Sequence, residues 1–184
     1  MKKFIFTMLI IFPIFIAVAI GTGGSGMEAT KVEFKISSPA FNNEEFIPQK
    51  YACDGSNVSP PIGWSNAPAG TKSFALICDD PDAPAGNWVH WIVYNIPPNV
   101  AELKEEASSK RLLPKGAVEG SNDYHRNKYD GPCPPSGIHR YFFKLFALDK
   151  ELQTGANITK KGLLELMNGH ILAQATLIGK YKRK

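Results

Sequence analysis

The chain lacks the marks of a multidomain protein. No internal repeat and no low-complexity linker follows residue 30, and residues 27–184 suit one domain able to bury its own core. Charge of one sign is scarce as well. The formal net charge is +4, of which Lys2 and Lys3 supply two, and no basic run occurs outside the terminal KYKRK. A nucleic-acid footprint needs a basic patch that this composition does not provide. Short catalytic signatures are missing too: there is no H-E-x-x-H or comparable metal-ligand spacing, and no G-x-S-x-G elbow of a serine hydrolase. Cysteine is limited to Cys53, Cys78 and Cys133.

What is present begins with an apolar run. MKKF places two lysines ahead of FIFTMLIIFPIFIAVAI, which only Thr7 and Pro13 interrupt, and the small residues Ala17–Ala19 and the spacer GTGGSG follow. That is the layout of a secretory signal peptide. The run also approaches the roughly 17–25 residues of a spanning helix, so residues 1–26 read as a cleaved leader or as an anchor over residues 4–20 plus a spacer. Both readings put residues 27–184 outside the cytoplasmic membrane, because the lysines hold the N-terminus inside. The expected location is periplasmic, secreted or cell-surface, with membrane contact only through an uncleaved N-terminal segment. Three cysteines in an oxidising compartment imply one bridge and one spare. Cys78 lies in the apolar run SFALIC, whereas Cys53 and Cys133 lie in the turn-rich YACDGSNVSPP and DGPCPPSG; the expected bridge is Cys53–Cys133.

Strand-like runs recur: KVEFKI, SFALICDD, WVHWIVYNI, RYFFKLFAL and ILAQATLIGKY. Turns rich in Pro and Gly separate them, the pattern of a mainly β domain. One helix is predicted over ITKKGLLELMNG, with Thr159 as N-cap and Gly169 near its C-terminal end. A shorter helical piece is expected around VAELKEEAS. The polar stretch 105–138 reads as a long loop, of the kind that often binds something.

CDDPDAPAGNWVHW, residues 78–91, sets three carboxylates and a histidine between two of these strands. Alternation puts Asp80 at the end of the row Phe74, Leu76, Cys78. It groups His90 with Ile92 and Tyr94, and His139 with Tyr141, Phe143 and Leu145. Asp79 and Asp82 are expected to face solvent or cap backbone amides. Each ionisable group taken alone is more often a satisfied core or edge residue, and Asp-Pro alone marks a turn. Three segments repeating one pattern place Asp80, His90 and His139 together at the mouth of a hydrophobic core.

DDPDAP followed by HW, and GIHRY farther on, resemble the two signature blocks of the phosphatidylethanolamine-binding protein family. CDGSNVSPPIGW and GPCPPSGIHRY are most similar to its bacterial YbhB/YbcL-like, Raf-kinase-inhibitor-like branch. The resemblance covers roughly residues 34–180. It implies an antiparallel Greek-key β-sandwich with a few peripheral helices and a small pocket for phosphate-type anions and phosphorylated head groups. Carried over by motif, the ligand-binding residues are Asp80, His90, His139, Tyr141, Trp88 and Pro84. Gly131, in the loop YDGPCPP, stands where a backbone amide faces the anion. Relatives from eukaryotes close the pocket with a C-terminal helix, whereas this chain ends in a strand.

The function expected from these residues is non-enzymatic binding of a small anion: phosphate, a phosphoethanolamine-like group or a carboxylate. Imidazoles and a loop N–H would donate to its oxygens, and binding should weaken as the histidines lose their protons. The protein could act thereby on a kinase or protease target that the sequence does not name. No cofactor and no metal is expected. The alternative is a metal- or thiol-dependent hydrolase built on the Asp/His cluster or on Cys133 with His139, the latter excluded if Cys133 is bridged.

Overall fold

The structure is a computed structural model that describes residues 32–108, 112–155 and 157–184; the predicted leader or anchor lies outside these residues. The chain forms strands β1 (Lys35–Ser37), β2 (Ile62–Ser65), β3 (Ser73–Asp80), β4 (Trp88–Ile96), β5 (Glu102–Leu103), β6 (Val118–Glu119) and β7 (His139–Leu148). Helix α1 (Lys160–Met167) and strand β8 (Ile171–Tyr181) complete the order. Two antiparallel sheets result, one with the order β1-β2-β5 and one with the order β6-β4-β3-β7-β8. β3 therefore sits centrally, with its hairpin partner β4 on one side and the distant β7 on the other, as in a Greek key.

Burial explains why SFALICDD reads as an almost continuous apolar run. All eight residues of β3 are buried, because the five-stranded sheet is covered on both faces. On one face Phe74, Leu76, Cys78, Trp91, Val93, Phe143 and Leu145 pack against Ile62, Trp64 and Leu103 of the smaller sheet. On the other, Ala75, Ile77, Ile92 and Tyr94 lie beneath Leu163 and Met167 of α1. The helix starts as predicted: Thr159 Oγ1 accepts the N–H of Gly162 at 3.4 Å. Past its end Gly169 takes φ +76, a left-handed turn that costs glycine little.

Two expectations about local structure fail. VAELKEEAS is not helical; Glu102–Leu103 pairs with β2 as a strand, and the chain then turns with Ala107 N–H bonded to the carbonyl of Lys104. KVEFKI gives only the short β1 at its end. The stretch 105–138 is a long connection as expected, with β6 inside it. Cys53 and Cys133 are bridged, with their Cα atoms 5.4 Å apart, and Cys78 is a buried free thiol. Among the described residues no helix is long and apolar enough to cross a membrane.

Candidate functional site

Asp80 closes β3 and His139 opens β7, on strands that are direct neighbours. Their rows share the face of Cys78 and Phe143, so the side chains meet: His139 Nδ1 lies 2.8 Å from Asp80 Oδ2, with both residues buried. His90 reaches them by a route that alternation does not foresee. The β3–β4 register runs Cys78↔Trp91 and then Asp79↔Val89, leaving His90 without a partner of its own. Such a bulge breaks the two-residue period. Ile92 and Tyr94 stay under α1, while His90 turns to the opposite face and sets its ring 5.2 Å from that of Tyr141 at 81°. The predicted grouping of His90 with Ile92 and Tyr94 is thereby corrected, and the bulge is what delivers the second imidazole to Asp80 and His139.

These three residues line one cavity of about 220 Å³, together with Ala83, Pro84, Ala85, Trp88, Tyr124, Cys133 and Pro135. Tyr141 is not part of the cavity wall; it is fully buried, with its ring edge-on against that of His90. Burial, and then the charge of Asp80, push its hydroxyl well above the ordinary phenol range. Trp88 meets Tyr124 edge-on at 5.4 Å. Gly131 does not join the cavity wall: its N–H donates to Asn57 Oδ1 at 2.7 Å, and a Cβ there would stand 2.1 Å from the Tyr51 carbonyl oxygen. That glycine keeps two loops in contact.

The tautomers follow from the partners. His90 Nδ1 lies 2.7 Å from the carbonyl oxygen of Asp130. A carbonyl only accepts, so Nδ1 carries the hydrogen. Burial lowers the pKa of this ring, with the Asp130 carbonyl opposing in part, and the neutral ring then holds a lone pair on Nε2. At His139, Nδ1 faces a carboxylate, which likewise accepts; its Nε2 is an acceptor in the neutral ring and a donor only in the charged one.

Asn122, which the sequence reading missed, organises the loop beside His90. Its Nδ2 donates to Asp130 Oδ2 at 2.7 Å, to the Lys128 carbonyl at 2.9 Å and to the His90 carbonyl at 3.3 Å. Its Oδ1 accepts the N–H groups of Tyr124 and Arg126, each at 3.0 Å. Tyr124 is thus fixed over the cavity. Arg126 lies over its ring and pairs with Asp130 Oδ1 at 2.7 Å.

Asp79 corrects another expectation. It is completely buried on the α1 side, where Lys144 Nζ bonds both its oxygens at 2.8 and 2.9 Å and Lys160 Nζ joins them. Asp82 does cap a backbone amide, that of Arg140 at 3.0 Å, and the Arg140 guanidinium holds its carboxyl down to about 2. A second cavity of about 460 Å³, lined by residues that include Asn87, Asp123, Lys160 and Lys161, contains none of the predicted residues. Among the described residues no three His, Cys, Asp or Glu side chains converge closely enough to hold a metal, and the bridge removes Cys133 as a thiol nucleophile.

The profile of the family described as phosphatidylethanolamine-binding protein matches residues 37–182. A UPF0098 protein of Methanothermobacter thermautotrophicus is 50% identical over 148 residues, which are 80% of this chain and 98% of that protein. One of Aquifex aeolicus is 49% identical over 166 residues, 88% and 91% respectively. Among solved structures, Escherichia coli YbcL, described as a new member of the mammalian family of that name, superposes with a TM-score of 0.78. It is 35% identical, over 83% of this chain and 100% of its own. A homologue from Chlamydia trachomatis gives 0.76 at 42% identity, over 82% and 98%.

Proposed function

This chain belongs to the phosphatidylethanolamine-binding protein family, and from that premise we propose that it is a non-enzymatic binding protein whose cavity takes a small oxyanion. The observation that carries the proposal is the meeting of Asp80, His90 and His139, from three strand ends, on one cavity wall. Its volume, about 220 Å³, falls below the roughly 300–1,000 Å³ of drug-sized sites, so the ligand is a phosphate, a carboxylate or a head group such as phosphoethanolamine.

The ring chemistry refines the expected role of the imidazoles. With Nδ1 of His90 and His139 already bonded, Nε2 is the nitrogen left for a ligand. A neutral His90 accepts there, so the oxyanion arrives carrying a proton or the ring takes one up on binding. Affinity therefore rises as pH falls. Asp80 orients His139 and offers a carboxylate to the amine of a zwitterionic ligand. The disulfide beside the cavity supports an oxidising, exported setting for this chemistry.

Calorimetric titration with inorganic phosphate and phosphoethanolamine, in buffers of different ionisation heat, tests the reading. Proton uptake and tighter binding at pH 6 than at pH 8 are expected (about one unit either side of neutrality). Heat-silent mixing at millimolar ligand in every buffer contradicts it.

A further inference from the structure

The cavity wall carries two imidazoles and a carboxylate but no lysine or arginine, which leaves an anion without a fixed positive charge. Three guanidinium groups stand near it. Arg126 is bound to Asp130. Arg140 is clasped by Asp82 through Nε at 2.9 Å and Nη2 at 2.7 Å. Arg183 differs. Its Nη1 meets the Sγ of Cys133 at 3.9 Å, and Cys133 is a wall residue of the cavity. Sulfur in a disulfide is a poor acceptor, and no ion pair holds this guanidinium among the described residues.

The fold brings Arg183 to this place. Tyr181, the last residue of β8, pairs across the sheet with His139, and its hydroxyl donates to the Asp54 carboxylate next to Cys53. The strand end is fixed at both sides, and Arg183, two residues on, reaches the sulfur of Cys133. Asp54 feels the result: its carboxyl is lowered, first by the Tyr181 hydrogen bond and in smaller part by the charge of Arg183.

Resting on the reading of the cavity as an oxyanion site, we propose that Arg183 is a ligand-binding residue, the cation that the C-terminal tail supplies at the cavity mouth. Guanidinium matches phosphate and carboxylate geometry in a bidentate way that imidazole does not. In exchanging a sulfur for a phosphate oxygen it gives up a weak contact for a charge-assisted one. The ligand chemistry is a phosphate group, free or on a head group.

The test uses the full chain with Arg183→Gln, Arg183→Lys and Lys182→Gln, titrated separately with inorganic phosphate and phosphoethanolamine. Arg183→Gln is expected to weaken binding about tenfold, the scale of one charge-assisted hydrogen bond partly screened by solvent. Arg183→Lys should recover part of that loss, Lys182→Gln should change affinity less than twofold, and Tm should be unchanged throughout because the residue is exposed. A loss confined to one ligand identifies the source of the phosphate group. Unchanged affinity of Arg183→Gln for both ligands overturns the assignment, as does an equal loss in Lys182→Gln, which marks a diffuse field. If the unaltered chain binds neither ligand, the oxyanion reading of the cavity falls, and this inference with it.

Discussion

Replacing His90 by Asn separates its proton chemistry from its structural bond. Asn Nδ2 takes the place of imidazole Nδ1, so the hydrogen bond to the Asp130 carbonyl is retained while the titrating ring is removed. In the unaltered protein burial lowers the His90 pKa below the ordinary value of 6.5. The unfolded chain then binds a proton that the folded chain refuses, and stability rises with pH in the window between the two values. The contribution is complete above about pH 6.5 and is lost as pH falls below it, by up to about 1.4 kcal/mol per pH unit, until the folded-state pKa is reached. At pH 5.5 the loss attributable to this ring reaches at most about 1.4 kcal/mol. Urea denaturation followed by tryptophan fluorescence at pH 7.5, 6.5 and 5.5 reads it directly. The difference between His90→Asn and the unaltered chain should move in favour of Asn as pH falls. A constant difference, or one moving the other way, means that the folded protein accepts the proton at His90, and the argument that Nε2 is a lone pair at neutral pH fails.

Four further outcomes rest on other contacts in the structure. Asp79→Ala leaves Lys144 and Lys160 without their shared carboxylate; thermal unfolding should show a loss of about 3 kcal/mol, the low end for a broken buried pair, because both ammonium groups reach solvent. Lys144→Met should cost clearly less, since Lys160 still satisfies Asp79. Reducing the Cys53–Cys133 bridge, or replacing both cysteines by Ser, reopens a loop whose ends are 80 positions apart in sequence, for a destabilisation of about 2–4 kcal/mol by denaturant titration. Asn122→Ala removes the group that joins His90, Asp130, Tyr124 and Arg126. It should cost about 2–3 kcal/mol as buried partners lose their bonds, and it should weaken phosphate binding in calorimetry beyond any change in Tm.

The long elements were legible because their period is long enough to read. β3, β4 and β8 have the bounds of their apolar runs, and Asp80 and His139 meet where alternation puts them. β2, β5 and β6 carry between two and four residues each, too few to show a period, and the segment holding β5 reads in sequence as a short helix. His90 does share a cavity with Asp80 and His139, but not through the face that alternation assigns it. A single unpaired residue in β4 reverses its face, and nothing in WVHWIVYNI marks that residue. The sequence reads Asp79 as a solvated or capping turn residue because its two cations lie 65 and 81 positions away, so only the tertiary fold discloses them. Asn122 works mostly through backbone partners, with the Asp130 carboxylate as its one side-chain partner, and no side-chain pattern in the sequence records that. Of the residues that the motif resemblance names, Pro84 and Trp88 line the cavity, Tyr141 stands behind His90 without lining it, and the Gly131 N–H is engaged by Asn57.

Nitrogen-15 NMR of the imidazole rings during a phosphate titration addresses the oxyanion site most directly. The Nε2 resonances of His90 and His139 should shift together and saturate with one phosphate bound, moving toward the protonated form, while their Nδ1 signals stay close to the starting values. Nε2 signals that remain unchanged while phosphate perturbs only residues around Lys160 and Lys161 would contradict the account.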